Sequence, residues 1–278
     1  MSIEPILRRQ GGVISRRQAI AAGLLSGAVD DRVRRRRWRP LHPQVYLVAA
    51  GPVDAEVQVR AALLWAGEGA VLAGAAAAWW FGWLARPPTT LTIAGPRHPP
   101  PARPGIVLRQ RELAPADLTE HRGIGLTARP LTVLETAVEL DGAGAALLDG
   151  ALQSWLPFRA LHDACLRNPS RRGRRALAAT IERSTTVTRR RLVRLLRDSG
   201  TTGWHGAAGP VGGAAVTFPG PRVSIEVTGF APALDEQPRL RPAGSGWTTL
   251  GVGWSDLADR PLDVLAEIAG AVRPPPAR

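Results

Sequence analysis

Lysine is absent from this chain of 278 residues, and cysteine occurs once. A lone cysteine, Cys165, excludes an intrachain disulfide and a cysteine-based zinc site, and it fits a reducing cytoplasm. The five histidines, His42, His98, His121, His162 and His205, are scattered without the paired spacing of a metal site, so each reads as structural. No phosphate-binding glycine loop is present: Gly212-Gly213 is followed by neither a lysine nor a helix start. No Ser-His-Asp arrangement stands out. The N-terminal Ser2-Ile3-Glu4-Pro5 lacks the apolar core of a secretory signal. The uncharged, Ala- and Trp-rich run from Gly69 to Ala85 falls short of the roughly 20 residues a helix needs to cross a bilayer. It reads as a buried helix, and no membrane partner is expected.

With lysine missing, all 36 basic side chains are arginines, and they are unevenly placed. Met1–Ala50 holds ten arginines against three acids, and Arg167–Arg197 holds eleven against one. The rest of the chain is mildly acidic, with fifteen arginines and nineteen acids. A coding bias towards GC can remove lysine, so the clustering and not the total of +13 carries the argument. Local cationic surplus concentrates polyanions and releases their counterions, which makes nucleic acid the default partner.

The first cluster lies on a recognisable scaffold. Ser15-Arg16-Arg17-Gln18 is a capping box that starts a helix, and Gly23 ends it. Ser26 is placed to cap a second helix with Val29 and Val33 inward and Arg32, Arg35 and Arg36 outward. Trp38–Leu41 and Val45–Val48, joined at His42-Pro43-Gln44, read as a β-hairpin. Helix, turn, helix and hairpin in this order spell a winged helix-turn-helix. Asp30 and Asp31 can neutralise Arg34 and Arg35 at helical spacing, but four successive arginines plus Arg39 exceed what two acids balance.

The next stretch alternates helix and strand. Asp54–Trp65, Ala70–Leu84, Leu131–Leu140 and Ala143–Leu152 read as helices, and Thr90–Ala94 and Ile106–Arg111 as strands, with no obvious chemistry. An arginine-rich helix then runs from Arg171 to Gly200, and Pro210–Gly213 reads as a turn. Val216–Phe218, Val223–Val227 and Trp247–Val252 read as strands and Pro261–Val272 as a closing helix. On the arginine-rich helix Leu192, Val193, Leu195 and Leu196 mark a buried face, while Arg171, Arg172, Arg174 and Arg175 and then Arg189, Arg190, Arg191, Arg194 and Arg197 form a patch that suits DNA, RNA or an acidic protein.

The segment Gly12–Ala19, together with Trp38–Tyr46 and His121–Glu135, resembles the AbiEi-type antitoxins of type IV toxin–antitoxin systems over roughly the first half of the chain. Gln44 stands where that family has glycine in its wing turn. The last hundred residues resemble a different module, the very-short-patch-repair-like endonucleases of the restriction-endonuclease fold. Val216–Pro219, Val223–Gly229, Gly246–Leu250, Trp254 and Leu257 carry that likeness. In active members an Asp ahead of the Phe-Pro pair and a Glu-x-Asp or Glu-x-Lys on the next strand hold a divalent metal. Here Ala215 and Thr228 occupy two of the positions and only Glu226 survives, with Asp235 and Glu236 in the following loop.

The reading is an α+β multidomain chain with three parts. Residues 1–50 form a winged helix-turn-helix, 51–167 a mixed α/β middle domain, and 168–278 the basic helix with a restriction-endonuclease-like α/β domain. The resemblance implies a transcriptional regulator that binds double-stranded DNA, with a cognate toxin protein as a second partner and a homodimer where the operator is palindromic. Arg32, Arg35 and Arg36 lie nearest the groove and Arg16, Arg17, Arg37 and Arg39 contact phosphate. Glu226 is a catalytic remnant, and no metal or cofactor is expected. The alternative is a Mg²⁺-dependent DNA endonuclease. A third possibility is an interaction protein whose basic helix grips the toxin.

Overall fold

Ser15 opens the first capped helix by the predicted reciprocal pair: its Oγ accepts from the Gln18 amide at 3.2 Å, and its own amide donates to Gln18 Oε1 at 3.1 Å. The structure, a computed structural model, describes residues 2–48, 51–95, 100–206, 214–229, 240–243 and 246–273. The chain is mixed α and β, with three separate sheets among the described residues, and divides into two units, Met1–Leu147 and Leu148–Arg278.

Unit 1 begins with α1 (Glu4–Arg9), β1 (Val13–Ser15), α2 (Arg16–Ala21), α3 (Ser26–Arg34), β2 (Arg39–His42) and β3 (Val45–Leu47). Gly23, at φ 99°, takes the left-handed turn that ends α2, as expected. Ser26 does not cap α3. Leu25 stands at the cap position without a side-chain bond, because the Ser26 Oγ instead accepts from Arg16 Nη2 at 2.6 Å. The strands form an antiparallel sheet of order β1-β3-β2. Both of its faces are covered. Ile14 and Tyr46 pack with Ala19, Val29 and Trp38 on one side, while Val13, Val45 and Leu47 meet Val57, Ala61 and Trp65 of α4 (Ala55–Ala66) on the other.

After α4, which Asp54 caps through the Val57 amide, come β4 (Val71–Ala73), α5 (Gly74–Trp80), β5 (Leu91–Ala94), β6 (Ile106–Arg109), β7 (Leu118–His121), β8 (Ile124–Thr127) and α6 (Arg129–Glu139). The expected helix over Ala70–Leu84 is shorter than read. Val71–Ala73 is the central strand of a sheet ordered β6-β5-β4-β8-β7, since pairing on both sides outweighs the local preference for helix. Ala75–Ala78 are buried, as a buried helix requires, and α5 ends at Trp80. The β7–β8 hairpin turns at Arg122-Gly123, both with positive φ, the primed turn that matches strand twist.

Gly74, at φ 55°, meets a second constraint: a Cβ there would lie 2.3 Å from the Glu139 carboxylate. That carboxylate accepts from the Ala75 amide at 2.8 Å, from Thr92 Oγ1 at 3.2 Å and from Arg109 at 2.8 Å. Glu135, one turn earlier on α6, accepts from the Gly74 amide at 3.1 Å and from Arg111. Two carboxylates thus satisfy the orphan amides that open α5 and tie α5, α6 and β6 together. Burial pushes the Glu135 carboxyl up despite the neighbouring Arg111.

Helix α7 (Asp141–Ser154) spans the division at Leu147, and unit 2 continues with α8 (Phe158–Arg167), α9 (Arg171–Asp198), β9 (Ala214–Phe218), β10 (Val223–Gly229), β11 (Leu240–Ala243), β12 (Trp247–Gly253), α10 (Trp254–Asp259) and α11 (Pro261–Val272). The sheet order is β11-β12-β10-β9, with β10 parallel to β12 and the other pairs antiparallel. Val223, Ile225 and Val227 alternate onto a core with Leu192 and Leu196 of α9, Leu257 of α10 and Val264 and Ile268 of α11. Ser184, Thr188, Leu192 and Leu196 repeat every fourth residue, so α9 buries one continuous stripe. The turn expected at Pro210–Gly213 lies outside the described residues.

No helix among the described residues is long and apolar enough to cross a membrane.

Candidate nucleic-acid interface

The arginine run Arg34–Arg37 straddles the end of α3. Arg36 adopts φ 57°, the left-handed conformation that normally falls to glycine after a helix. The Arg36 amide donates to Val33 O and the Arg37 amide to Arg32 O, both at 2.9 Å, which closes the helix with the reversed pair of bonds typical of a Schellman motif. Trp38 then plunges inward, buried against Tyr46 at a ring separation of 5.7 Å. With Trp38 anchored, its neighbours Arg37 and Arg39 are turned out to solvent.

The seven sequence-predicted arginines are not equivalent. Arg16 is folded into the protein, donating to both oxygens of Asp30 at 2.6 and 2.8 Å and to the Ser26 hydroxyl. It fastens α2 to α3. Arg32 turns back on its own helix, donating to Ala28 O at 2.8 Å, with its guanidinium 5.8 Å from the Trp38 ring. Arg17 is exposed and pairs loosely with exposed Glu68 at 3.2 Å. Arg35 shares the Asp31 carboxylate with Arg34, at 3.0 and 2.7 Å. Arg36, Arg37 and Arg39 are exposed, and no side-chain hydrogen bond or ion pair engages them among the described residues.

The electrostatics follow from this sharing. Arg16 holds the Asp30 carboxyl below the usual carboxylate range, and Arg34 does the same to Asp31. Both acids of α3 are therefore occupied, by three arginines between them. What stays unneutralised is the corner from Arg36 to Arg39, where the helix end meets the hairpin. The hairpin turn carries a second left-handed residue, Gln44 at φ 62°, where a glycine would cost less.

In unit 2 the structure places Glu226 half-buried on β10, opposite Gly251 of β12 and Ala214 of β9. The register shifts twice around it. Between Ile225 and Glu226 the partner strand skips from Val216 to Ala214, leaving Ala215 as the extra bulged residue, and the second shift, between Val227 and Gly229, leaves Thr228 unpaired with β12. Ala215 and Thr228, which match the Asp and the Asp-or-Lys positions of the nuclease likeness, therefore lie in two bulges that bracket Glu226. One carboxylate, an alanine and a threonine do not supply the oxygen ligands a Mg²⁺ ion takes. Among the described residues no three His, Cys, Asp or Glu side chains gather into a metal-holding group. Asp235 and Glu236 lie outside the described residues.

Four of the five histidines have structural surroundings, and His98 lies outside the described residues. His42 stacks on Trp65 at 5.3 Å, and burial with the nearby Arg103 holds it below its ordinary value. His121 stacks on Phe81 at 5.4 Å, His162 on Phe158 at 6.1 Å, and His205 bonds through its backbone to Thr217. Sequence reasoning missed the Glu135–Arg111 and Glu139–Arg109 pairs of the middle region. Glutamates four apart on an apolar helix were the available signal.

Compared with known proteins, the chain matches no protein-family model, and no curated protein matches it.

Proposed function

We propose that this chain is a DNA-binding transcriptional regulator of the AbiEi antitoxin type. Its first elements form a winged helix-turn-helix, and its C-terminal nuclease-like domain has lost the carboxylates needed for cutting. The observation that carries the reading is Arg36: exposed, without an ion-pair partner among the described residues, and held at a left-handed position where glycine is less strained. An arginine kept there at a cost to stability is kept for what it contacts, and a guanidinium in solvent beside Arg37 and Arg39 suits phosphate. Helix α3 with the adjoining hairpin supports the same face, because a helix end and a wing together span a groove and its flanking backbone. The site is thus narrower than the seven arginines first assigned. Arg36, Arg37 and Arg39 contact phosphate, Arg17, Arg34 and Arg35 reinforce the local potential, and Arg16 and Arg32 hold the scaffold.

The test is a gel-shift titration on duplex DNA at several salt concentrations, comparing the chain with a variant in which Arg36, Arg37 and Arg39 are replaced by Ala. Each phosphate contact contributes about −0.9 to the slope of log affinity against log salt, so the variant's slope shallows by about 2 to 3. Unchanged affinity and slope would overturn the assignment. A cognate toxin is the second partner of this reading, tested by co-purification with the product of the neighbouring gene.

The second reading is a Mg²⁺-dependent endonuclease, favoured by the paired bulges around Glu226. The residues at those positions weigh against it.

A further inference from the structure

The second arginine cluster is unused by the reading above, and α9 displays it openly. Stripe residues Thr188, Leu192 and Leu196 face the sheet, so the opposite side of the helix presents Arg189, Arg190, Arg194 and Arg197 to solvent. No hydrogen bond or ion pair engages these four guanidiniums among the described residues, and Arg197 lies only against the Trp204 ring, at 5.9 Å. Arg191 is different: its Nε donates to Leu257 O at 3.1 Å and its guanidinium sits 5.2 Å from the Trp254 ring, so it braces α9 on α10.

A depression of about 560 Å³ lies between α9 and Trp254, Leu257 and Pro261, the described residues lining another of about 630 Å³ all belong to α9, and Arg190 and Arg194 line both. Asp198 is the one acid among the described residues that line them. A helix with its side chains is about 10–12 Å across. That is about the width of the B-DNA major groove. Arg190 and Arg194 are one helical turn apart, and Arg197 follows on the same side. A protein partner would ask for an open apolar or aromatic anchor, whereas Val187 is the exposed large apolar residue among those described on this face and the half-buried Trp254 carries the Arg191 guanidinium over its ring.

We infer that the exposed face of α9 is a second binding surface for duplex DNA, with Arg190, Arg194 and Arg197 as its phosphate contacts. The inference concerns unit 2 and rests on its own residues. It deepens the regulator reading by giving unit 2 a cationic contact with duplex DNA of its own.

The experiment uses the full chain and a fluorescent duplex, with anisotropy read between 50 and 200 mM salt. The proteins are the wild type, the variant with Arg190, Arg194 and Arg197 all replaced by Gln, the same three replaced by Lys, and the Arg36/Arg37/Arg39 alanine variant. Loss of three contacts lowers the salt slope by about 2.7, which shrinks the fall in affinity over that salt range by about 40-fold. The Lys variant keeps the charge and most of the slope. Thermal melting checks that the Gln variant folds, and should it not, Arg190→Glu alone is read in the same way. Unchanged duplex affinity and slope in the Gln variant overturn the inference. Lost binding to polyglutamate with duplex binding intact also overturns it and assigns this face of α9 to an acidic protein. If the Gln variant is weakened while the Arg36/Arg37/Arg39 variant is not, the inference stands and the winged-helix reading falls.

Discussion

The Arg16 guanidinium grips the Asp30 carboxylate through two hydrogen bonds, of 2.6 and 2.8 Å, and so spans the turn between the two helices that the arginine cluster decorates. A residue that sequence pattern assigns to phosphate is thereby committed to the fold. Replacing Arg16 by Ala is expected to lower the melting temperature by several degrees while leaving the salt slope of DNA binding unchanged. Because Arg16 holds the Asp30 carboxyl below its ordinary value, the stabilisation is complete above the unfolded value of about 3.9 and is lost as pH falls through the lower folded value. Asp30→Asn removes that dependence, so melting followed from pH 6 down to about pH 2 should separate the two proteins above about pH 4 and bring them together below it.

Arg36 makes the opposite prediction. Its left-handed backbone costs an arginine roughly 1 kcal/mol more than a glycine. Arg36→Gly should therefore raise the unfolding free energy by about 0.5–1 kcal/mol in urea, without changing the m-value. The same substitution should weaken duplex binding. Gain of stability with loss of affinity is the signature of a position held for function. A variant that is both less stable and unchanged in binding would reduce Arg36 to an ordinary helix end.

Local signals were the legible ones. The Ser15–Gln18 capping box, the Gly23 stop, the hairpin around Pro43-Gln44 and the closing helix Pro261–Val272 all appear as read, because each depends on neighbours within four residues or on a hydrophobic period. Ser26 failed as a cap because its competitor, Arg16, is ten residues away. Val71–Ala73 read as helix because its partners on β5 and β8 are distant in sequence. β11 and α8 carried no pattern strong enough to be assigned. At the candidate site, composition located the arginine cluster and could not rank its members by exposure. Which guanidiniums remain exposed depends on where Asp30, Asp31, Trp38 and Ala28 fall in space, and only the folded chain specifies that.

The buried carboxylate pair of the middle region bears on stability alone. Glu135→Ala strips the Gly74 amide and Arg111 of their shared acceptor inside a closely packed junction of α5 and α6. Removing one member of a buried, hydrogen-bonded ion pair costs on the order of 3 kcal/mol. Chemical denaturation should show a loss of that size, and a loss near zero would mean that the junction is held by the Ala75–Ala78 packing and not by the carboxylates.

Cutting activity offers the last discriminating measurement. Glu226 sits between two bulges whose neighbouring positions are Ala215 and Thr228, and one carboxylate with those companions cannot replace enough of the hydration shell of Mg²⁺ to hold it. Supercoiled plasmid incubated with the chain and Mg²⁺ or Mn²⁺ is expected to remain intact, and chelation with EDTA is expected to leave the melting temperature where it was. Glu226→Ala should change neither result. Should plasmid be nicked by the wild type and spared by Glu226→Ala, the half-buried carboxylate on β10 would be a working ligand. The bulges around it would then be the frame of a live nuclease site, completed by residues beyond Ala215 and Thr228.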